Sequence, residues 1–194
     1  MIDCVLWDFG DTLADERFLM APLAGFPDWP SVVRQQIFDG ALGQEWFVGK
    51  ANMDDVVRQL STILGADAAT IHDHMIGCCR RISFFERPMD AARSSHLAQA
   101  IVTINSDIFS DHVVPNYRLD RHFNPIVTSW QDASLDKSDL CDSAMRRLGL
   151  ADRGRALLID NKADNVAGWR ARGGIAYHLT GNTAFSNAPP EPFS

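Results

Sequence analysis

Two aspartates, an asparagine and a lysine stand where short apolar runs stop. Asp8 follows Cys4, Val5, Leu6 and Trp7; Asn105 follows Ala100 to Ile104; Asp160 follows Ala156 to Ile159; and Lys137 opens the segment after the run at 125–129. Runs of this kind, bounded by turn residues, read as buried strands. In open α/β sheets, ligands bind beyond the carboxyl ends of the strands. An aspartate there can serve as a nucleophile, a metal ligand or both. Together these four side chains would suit a phosphate and a metal. The acids bind Mg2+ through oxygen, the lysine neutralises a phosphate and a nucleophilic carboxylate, and the amide donates to a phosphate oxygen.

The elements that must position them follow from periodicity. Strands are expected at 4–7, 97–105, 125–129, 156–160 and 175–179. Helices are expected at 107–114, stopped by Pro115, at 137–148 with Leu140, Ala144 and Leu148 on one face, and at 163–172, ended by Gly173 and Gly174. Alternating strand and helix implies parallel strands joined by right-handed crossovers. Between the first and second strands no buried strand is expected. A short helix is predicted at 31–38, ended by Gly40. A stronger one is predicted at 53–64, with Asn52 as N-cap, Asp54 and Asp55 in the first turn, Gly65 at its end and Val56, Val57, Leu60, Ile63 and Leu64 on one face. A third is predicted at 69–81 with Ile71, Met75 and Cys78 inward. The fold class is therefore α/β: a Rossmann-like parallel-sheet core over 1–13 and 96–182, an inserted α-helical cap over 14–95, and a loose Ala/Pro/Ser-rich tail over 183–194.

The chain has 194 residues, 46% of them hydrophobic, 22% charged, and a net charge of −7. That composition supports a core, and its acidity argues against nucleic-acid binding, which wants a basic stripe. The four cysteines form no CxxC pair and read as reduced core thiols. No apolar run has the length of a membrane span and no signal-peptide pattern opens the chain. A soluble, cytoplasmic protein without membrane partners is expected. The six histidines are scattered, and none is read as a metal ligand. Trp29, Trp46 and Phe47 are read as cap core, and Arg80, Arg81, Arg146 and Arg147 as solvated.

The segment Asp8-Phe9-Gly10-Asp11-Thr12-Leu13 resembles the first motif of the haloacid dehalogenase-like (HAD) hydrolases, usually Asp-x-Asp-Gly-Thr-Leu. The run 123–129 followed by Lys137 is similar to the third motif region, with Ser138 where a proline is usual. The run 157–165 is similar to the fourth, often Asp-Asp, three residues and Asn. Asp160 matches the first acid, Asn161 replaces the second, and Asp164 keeps an Asp-x-x-x-Asp spacing also used in the family. The resemblance runs the length of the chain, and the insert looks like the helical cap of subfamily I. It implies that Asp8 is the nucleophile, forming an aspartyl-phosphate that water hydrolyses, with Lys137 beside it. It implies Mg2+ held by Asp8, the Gly10 carbonyl and Asp160, and a small phosphorylated metabolite as substrate.

Three positions depart from the pattern. Family phosphatases carry their general acid and base two residues after the nucleophile, and Gly10 has no side chain. Such help is worth ~10²–10⁴-fold, so turnover is expected to be slow unless Asp11 reaches in through a shifted loop or the leaving group is good, as in acyl phosphates. Ile104 stands where the second motif has Ser or Thr. Strand alternation puts Thr103 and Asn105 on one face, so either could reach the phosphate while Ile104 could not, and Ser106 is the candidate if the strand end is shifted. Asn161 is the third departure. These departures keep open a HAD-fold protein that binds a ligand or partner without turnover. A 2-haloacid dehalogenase, which uses an aspartate nucleophile without metal, ranks lower because its first motif resembles Asp-x-Tyr-Gly-Thr.

Overall fold

The computed structural model describes residues 1–181 and Phe193; apart from Phe193, the expected tail lies outside the described residues. Five strands form one parallel sheet in the order β3-β2-β1-β4-β5. They are β1 (Cys4–Trp7), β2 (Ala98–Thr103), β3 (Ile126–Thr128), β4 (Ala156–Asp160) and β5 (Ile175–His178). β1 is central: Leu6 is in register with Ala100 of β2 and with Leu158 of β4. Every residue of β1 is buried, as expected of a strand covered on both faces. Its side chains alternate. Val5 and Trp7 enter one hydrophobic cluster, and Cys4 and Leu6 enter another on the opposite face.

The second cluster is closed by two helices described below with the site, through Leu140, Cys141 and Ala144 and through Val166 and Trp169. The first is continuous with the insert, which contributes Trp29, Trp46, Leu60 and Ile71, each less than 1% exposed. The insert holds α1 (Trp29–Val33), which passes into a π-helical turn at Arg34–Phe38, then α2 (Ala41–Phe47), α3 (Met53–Leu64), α4 (Ala68–Cys79) and α5 (Glu86–Ser94). A 3₁₀ turn at Glu16–Met20 precedes them. α3 begins with a capping box: the Asn52 side chain accepts from the Asp55 N–H, and the Asp55 carboxylate accepts from the Asn52 N–H. It ends at Gly65 in the left-handed region.

Several expectations are corrected. Gly40 does not simply end a helix; it is the N-cap of α2. α5 was not expected; Pro88 sits near its start, where a missing N–H costs little. Ile63 does not join the buried face of α3 and is 48% exposed. Pro115 does not stop the helix after β2. A π-helical turn at Phe109–Val113 runs into α6 (Val114–Tyr117), with Pro115 in its first turn and Arg118 in the left-handed region at its end.

Among the described residues no helix is long and apolar enough to cross a membrane, and all four cysteines are free and buried.

Candidate functional site

Asp8 is the first residue beyond β1. Its N–H continues the sheet by donating to the Ile159 carbonyl (2.9 Å), so its carboxylate is delivered to the carboxyl edge of the sheet. Lys137 is the first residue of α8 (Lys137–Arg147), which starts where Asp136 caps the Ser138 N–H at 2.8 Å. Although 129 residues apart in sequence, Lys137 Nζ and Asp8 Oδ1 meet at 2.5 Å. The same ammonium donates to the Val102 carbonyl at 2.8 Å and lies 3.4 Å from Asp160 Oδ2. All three charged side chains are buried. Burial by itself would pull Lys137 down, but the Asp8 and Asp160 carboxylates and the hydrogen bond to Asp8 outweigh it and hold Lys137 above its ordinary value.

Asp160 ends β4 and is fully buried. The amide of Asn165, in the first turns of α9 (Ala163–Ala171), donates to both of its oxygens at 3.1 and 3.0 Å. The Lys162 N–H donates to Oδ1 at 2.7 Å. Lys137 lies beyond these three hydrogen bonds as an ion pair to Oδ2, so part of the carboxylate's lone-pair capacity is left over. Asp8 is held in the same way on its other oxygen, where Thr12 Oγ1 donates at 3.3 Å.

A cavity of about 40 Å³ lies over Asp8 and is lined also by Gly10, Thr103, Asn105, Ser106 and Lys137. At ~10–15 Å³ per water-sized group it admits roughly three, close to the size of one phosphoryl group. Its apolar wall comes from Phe9 and Ile104 of the core and Phe18, Leu19, Phe38 and Phe47 of the insert. Phe47 thus faces the cavity, where cap core was expected, whereas Trp29 and Trp46 are core.

Ile104 borders the cavity, but its side chain packs on the cluster that holds Ala100 and Val102, on the other face of the sheet from Thr103, as alternation predicts. Asn105 Oδ1 accepts from the Ser106 N–H at 3.2 Å. Its backbone is pinned by Ser129, at the start of α7 (Ser129–Asp132), which accepts from the Asn105 N–H at 2.9 Å and donates to its carbonyl at 3.1 Å. Ser106 is 1% exposed, and its hydroxyl has no hydrogen-bond partner among the described residues. A buried orphan hydroxyl in a cavity wall is costly unless a ligand answers it.

Asp11 does not enter this cavity. Its backbone is in the left-handed region at φ +53°, and its side chain lines a separate, outer depression of about 340 Å³ that shares Phe38 and Lys162 with the inner cavity. Asp164 is exposed in the first turn of α9; it is Asn165 that reaches Asp160. Sequence reasoning therefore missed three polar residues of the site: Thr12, Lys162 and Asn165. Thr12 and Asn165 sit at fixed places in the first and fourth motifs, a signal that was on the page. For Lys162 no such signal existed.

Among the described residues no group of three or more His, Cys, Asp or Glu side chains is arranged to hold a metal. Mg2+ asks for less, because it usually keeps several waters and takes one or two carboxylates plus a substrate phosphate. Two carboxylates touched by one ammonium, beside the Gly10 backbone, fit that smaller demand in chemistry and count.

No protein-family model matches the chain, and no curated protein matches it in sequence. Solved structures do. A predicted HAD-like family hydrolase from Porphyromonas gingivalis superposes with a TM-score of 0.68 at 17% identity, over 92% of this chain and 91% of that one. A HAD family enzyme from Bacteroides thetaiotaomicron, in complex with magnesium and inorganic phosphate, gives 0.70 at 14% identity over 92% and 94%. The L-2-haloacid dehalogenase of Xanthobacter autotrophicus, with chloropropionic acid covalently bound, gives 0.69 at 17% identity over 92% and 78%. At these identities the likeness is one of fold: this chain has the HAD-like fold, a Rossmann-like parallel sheet with an inserted helical cap.

Proposed function

We propose that the protein is a Mg2+-dependent hydrolase of a small phosphorylated metabolite, working through Asp8. The observation that carries this reading is the buried Asp8–Lys137 pair in a cavity of phosphoryl size that is lined also by Thr103, Asn105 and Ser106. Lys137 and the Ser106 hydroxyl would take phosphate oxygens, with the Asn105 amide and Thr103 beside them. An Asp8 oxygen attacks phosphorus, the bond to the leaving oxygen breaks, and water then hydrolyses the aspartyl-phosphate, returning the carboxylate and releasing inorganic phosphate. Asp8, the Gly10 carbonyl and Asp160 would hold Mg2+. When bound, the metal would neutralise phosphate charge. The Bacteroides relative with magnesium and phosphate supports that choice of ligands.

The leaving oxygen needs a proton, and neither Gly10 nor Asp11 offers a carboxyl group inside the cavity. The substrate is therefore one whose leaving group departs as an anion, such as an acyl or aryl phosphate. A panel of phosphates with and without Mg2+, on wild type and Asp8→Asn, tests the reading. Metal-dependent phosphate release lost in Asp8→Asn is expected; release that persists in Asp8→Asn would sink it.

A second reading, metal-free 2-haloacid hydrolysis, is favoured by the aromatic wall of the cavity. Halide release without metal in the same panel would establish it. Binding of phosphate with no turnover on any substrate would instead identify a protein that binds without catalysis.

A further inference from the structure

The outer depression has no role in the chemistry at Asp8, yet it opens beside the same two residues, Phe38 and Lys162, that border the inner cavity. A substrate arm that leaves the inner 40 Å³ past Phe38 and Lys162 would enter this 340 Å³ space. Its wall carries three cations in a chain whose net charge is −7. Arg17 stands on the 3₁₀ turn Glu16–Met20, and Arg34 opens the π-helical turn Arg34–Phe38. π-Helical turns collect at functional sites, and this one presents both Arg34 and Phe38 to the depression. Arg34 makes no ion pair or side-chain hydrogen bond among the described residues. The Arg17 backbone N–H donates to Asp15 Oδ1 at 2.9 Å, but its side chain touches Asp15 only through Nε, at 3.5 Å and with 69% of the side chain exposed, a pair of little worth. Its two terminal nitrogens are not used in that contact.

Resting on the reading of Asp8 as a phosphate-cleaving residue, we propose that the outer depression is a second-anion subsite. The substrate class is then a small phosphorylated compound carrying another oxyanion, a carboxylate or a second phosphate, on a short linker. Arginine suits either because its planar fork gives two parallel donors to two oxygens. Asp11 and Asp39 on the same wall would repel such a group if it strayed from the arginines, which confines it to their side. A neutral or cationic substituent gains nothing from Arg17 and Arg34.

The test compares kcat/KM for four aryl phosphates, whose phenolates leave as anions: 4-(carboxymethyl)phenyl phosphate (a carboxylate arm), hydroquinone bisphosphate (a phosphate arm), phenyl phosphate (neutral) and 4-(aminomethyl)phenyl phosphate (cationic). A charge-assisted pair is worth roughly tenfold or more, so one or both anionic compounds should exceed the neutral one by about that factor. The preference should fall toward unity in Arg34→Gln combined with Arg17→Gln. Which anionic arm wins identifies the second group. Equal rates for phenyl phosphate, a preference for the aminomethyl compound, or a preference that survives both substitutions overturns the proposal. Calorimetric titration of the same four compounds into Asp8→Asn separates the two claims. If nothing turns over but the anionic compounds still bind more tightly, the subsite stands while the hydrolytic reading falls. If turnover is present and indifferent to the second charge, the reverse holds.

Discussion

Replacing Asp107 tests how the insert is locked to the sheet. Asp107 follows Asn105 and Ser106 at the end of β2, is 7% exposed, and spends its carboxylate on the insert. Trp46 Nε1 of α2 donates to Oδ1 at 2.6 Å, and the Met53 N–H at the start of α3 donates to Oδ2 at 2.8 Å. The Ile108 N–H closes the loop on Oδ1 at 2.8 Å. In Asp107→Ala the two donors of the insert lose their acceptor inside the protein. At ~1–3 kcal/mol per buried unsatisfied group, the loss is about 4 kcal/mol. For a chain of this length ~2–4 °C accompany each kcal/mol, so the melting point should drop by roughly 10 °C. Asp107→Asn keeps one carbonyl oxygen for Trp46 and Ile108 but turns an NH2 toward the Met53 N–H, and should cost about half as much. Trp46→Phe keeps the ring and removes one donor. A double-mutant cycle between Trp46→Phe and Asp107→Ala should show a coupling of about 1–2 kcal/mol, read from urea unfolding with unchanged slope. A loss below ~0.5 kcal/mol in Asp107→Ala, in the range of an ordinary surface change, or a coupling near zero would refute the reasoning.

Lys137→Met should abolish turnover and also destabilise by about 3–5 kcal/mol, because it leaves Asp8 and Asp160 buried without their cation; chemical denaturation measures it. Lys137 is held above its ordinary value, so its stabilising charge is fully present below the unfolded pKa of about 10.4 and is lost only as pH rises through the higher folded value. A rate–pH profile between 6 and 9 should therefore contain no limb that disappears in Lys137→Arg. Burial and the neighbouring Asp3 carboxylate push the Cys4 thiol up to about 11, and burial and neighbouring Cys78 push the Cys79 thiol up to about 12. The unfolded chain releases those protons first, so stability should fall as pH rises above about 9. The native protein should resist thiol alkylation at pH 8, and labelling of either residue without unfolding would contradict this. Gly10→Asp should accelerate hydrolysis of unactivated alkyl phosphates by up to ~10²-fold while changing acyl phosphates little; equal effects on both would show that leaving-group protonation is not limiting.

The helix at 53–64 was readable to the residue because its signals are local: an Asn52 cap, two early aspartates and a left-handed glycine lie within one stretch of chain. β4 was readable for the same reason, as an uninterrupted apolar run ending at Asp160. α2 was missed because Gly40 was read as a helix end, and at α5 no helix was read. Gly40 serves as a start as readily as a stop, and Pro88 is harmless in a first turn. At Pro115 the chain found a π-helical turn, an option that periodicity does not encode.

Of the site, the sequence by itself determined which acids, amide and lysine stand at strand ends, since alternation of apolar run and turn is a property of neighbouring residues. Only the tertiary structure decided what they do to one another. It brings Lys137 across 129 residues onto Asp8, ties Asp160 to Asn165 and Lys162, leaves Asp11 outside the cavity over Asp8 and lines that cavity with Phe47 of the insert. Each of these is a contact between segments remote in sequence, set by how the insert and α8 pack on the sheet and by no pattern along the chain.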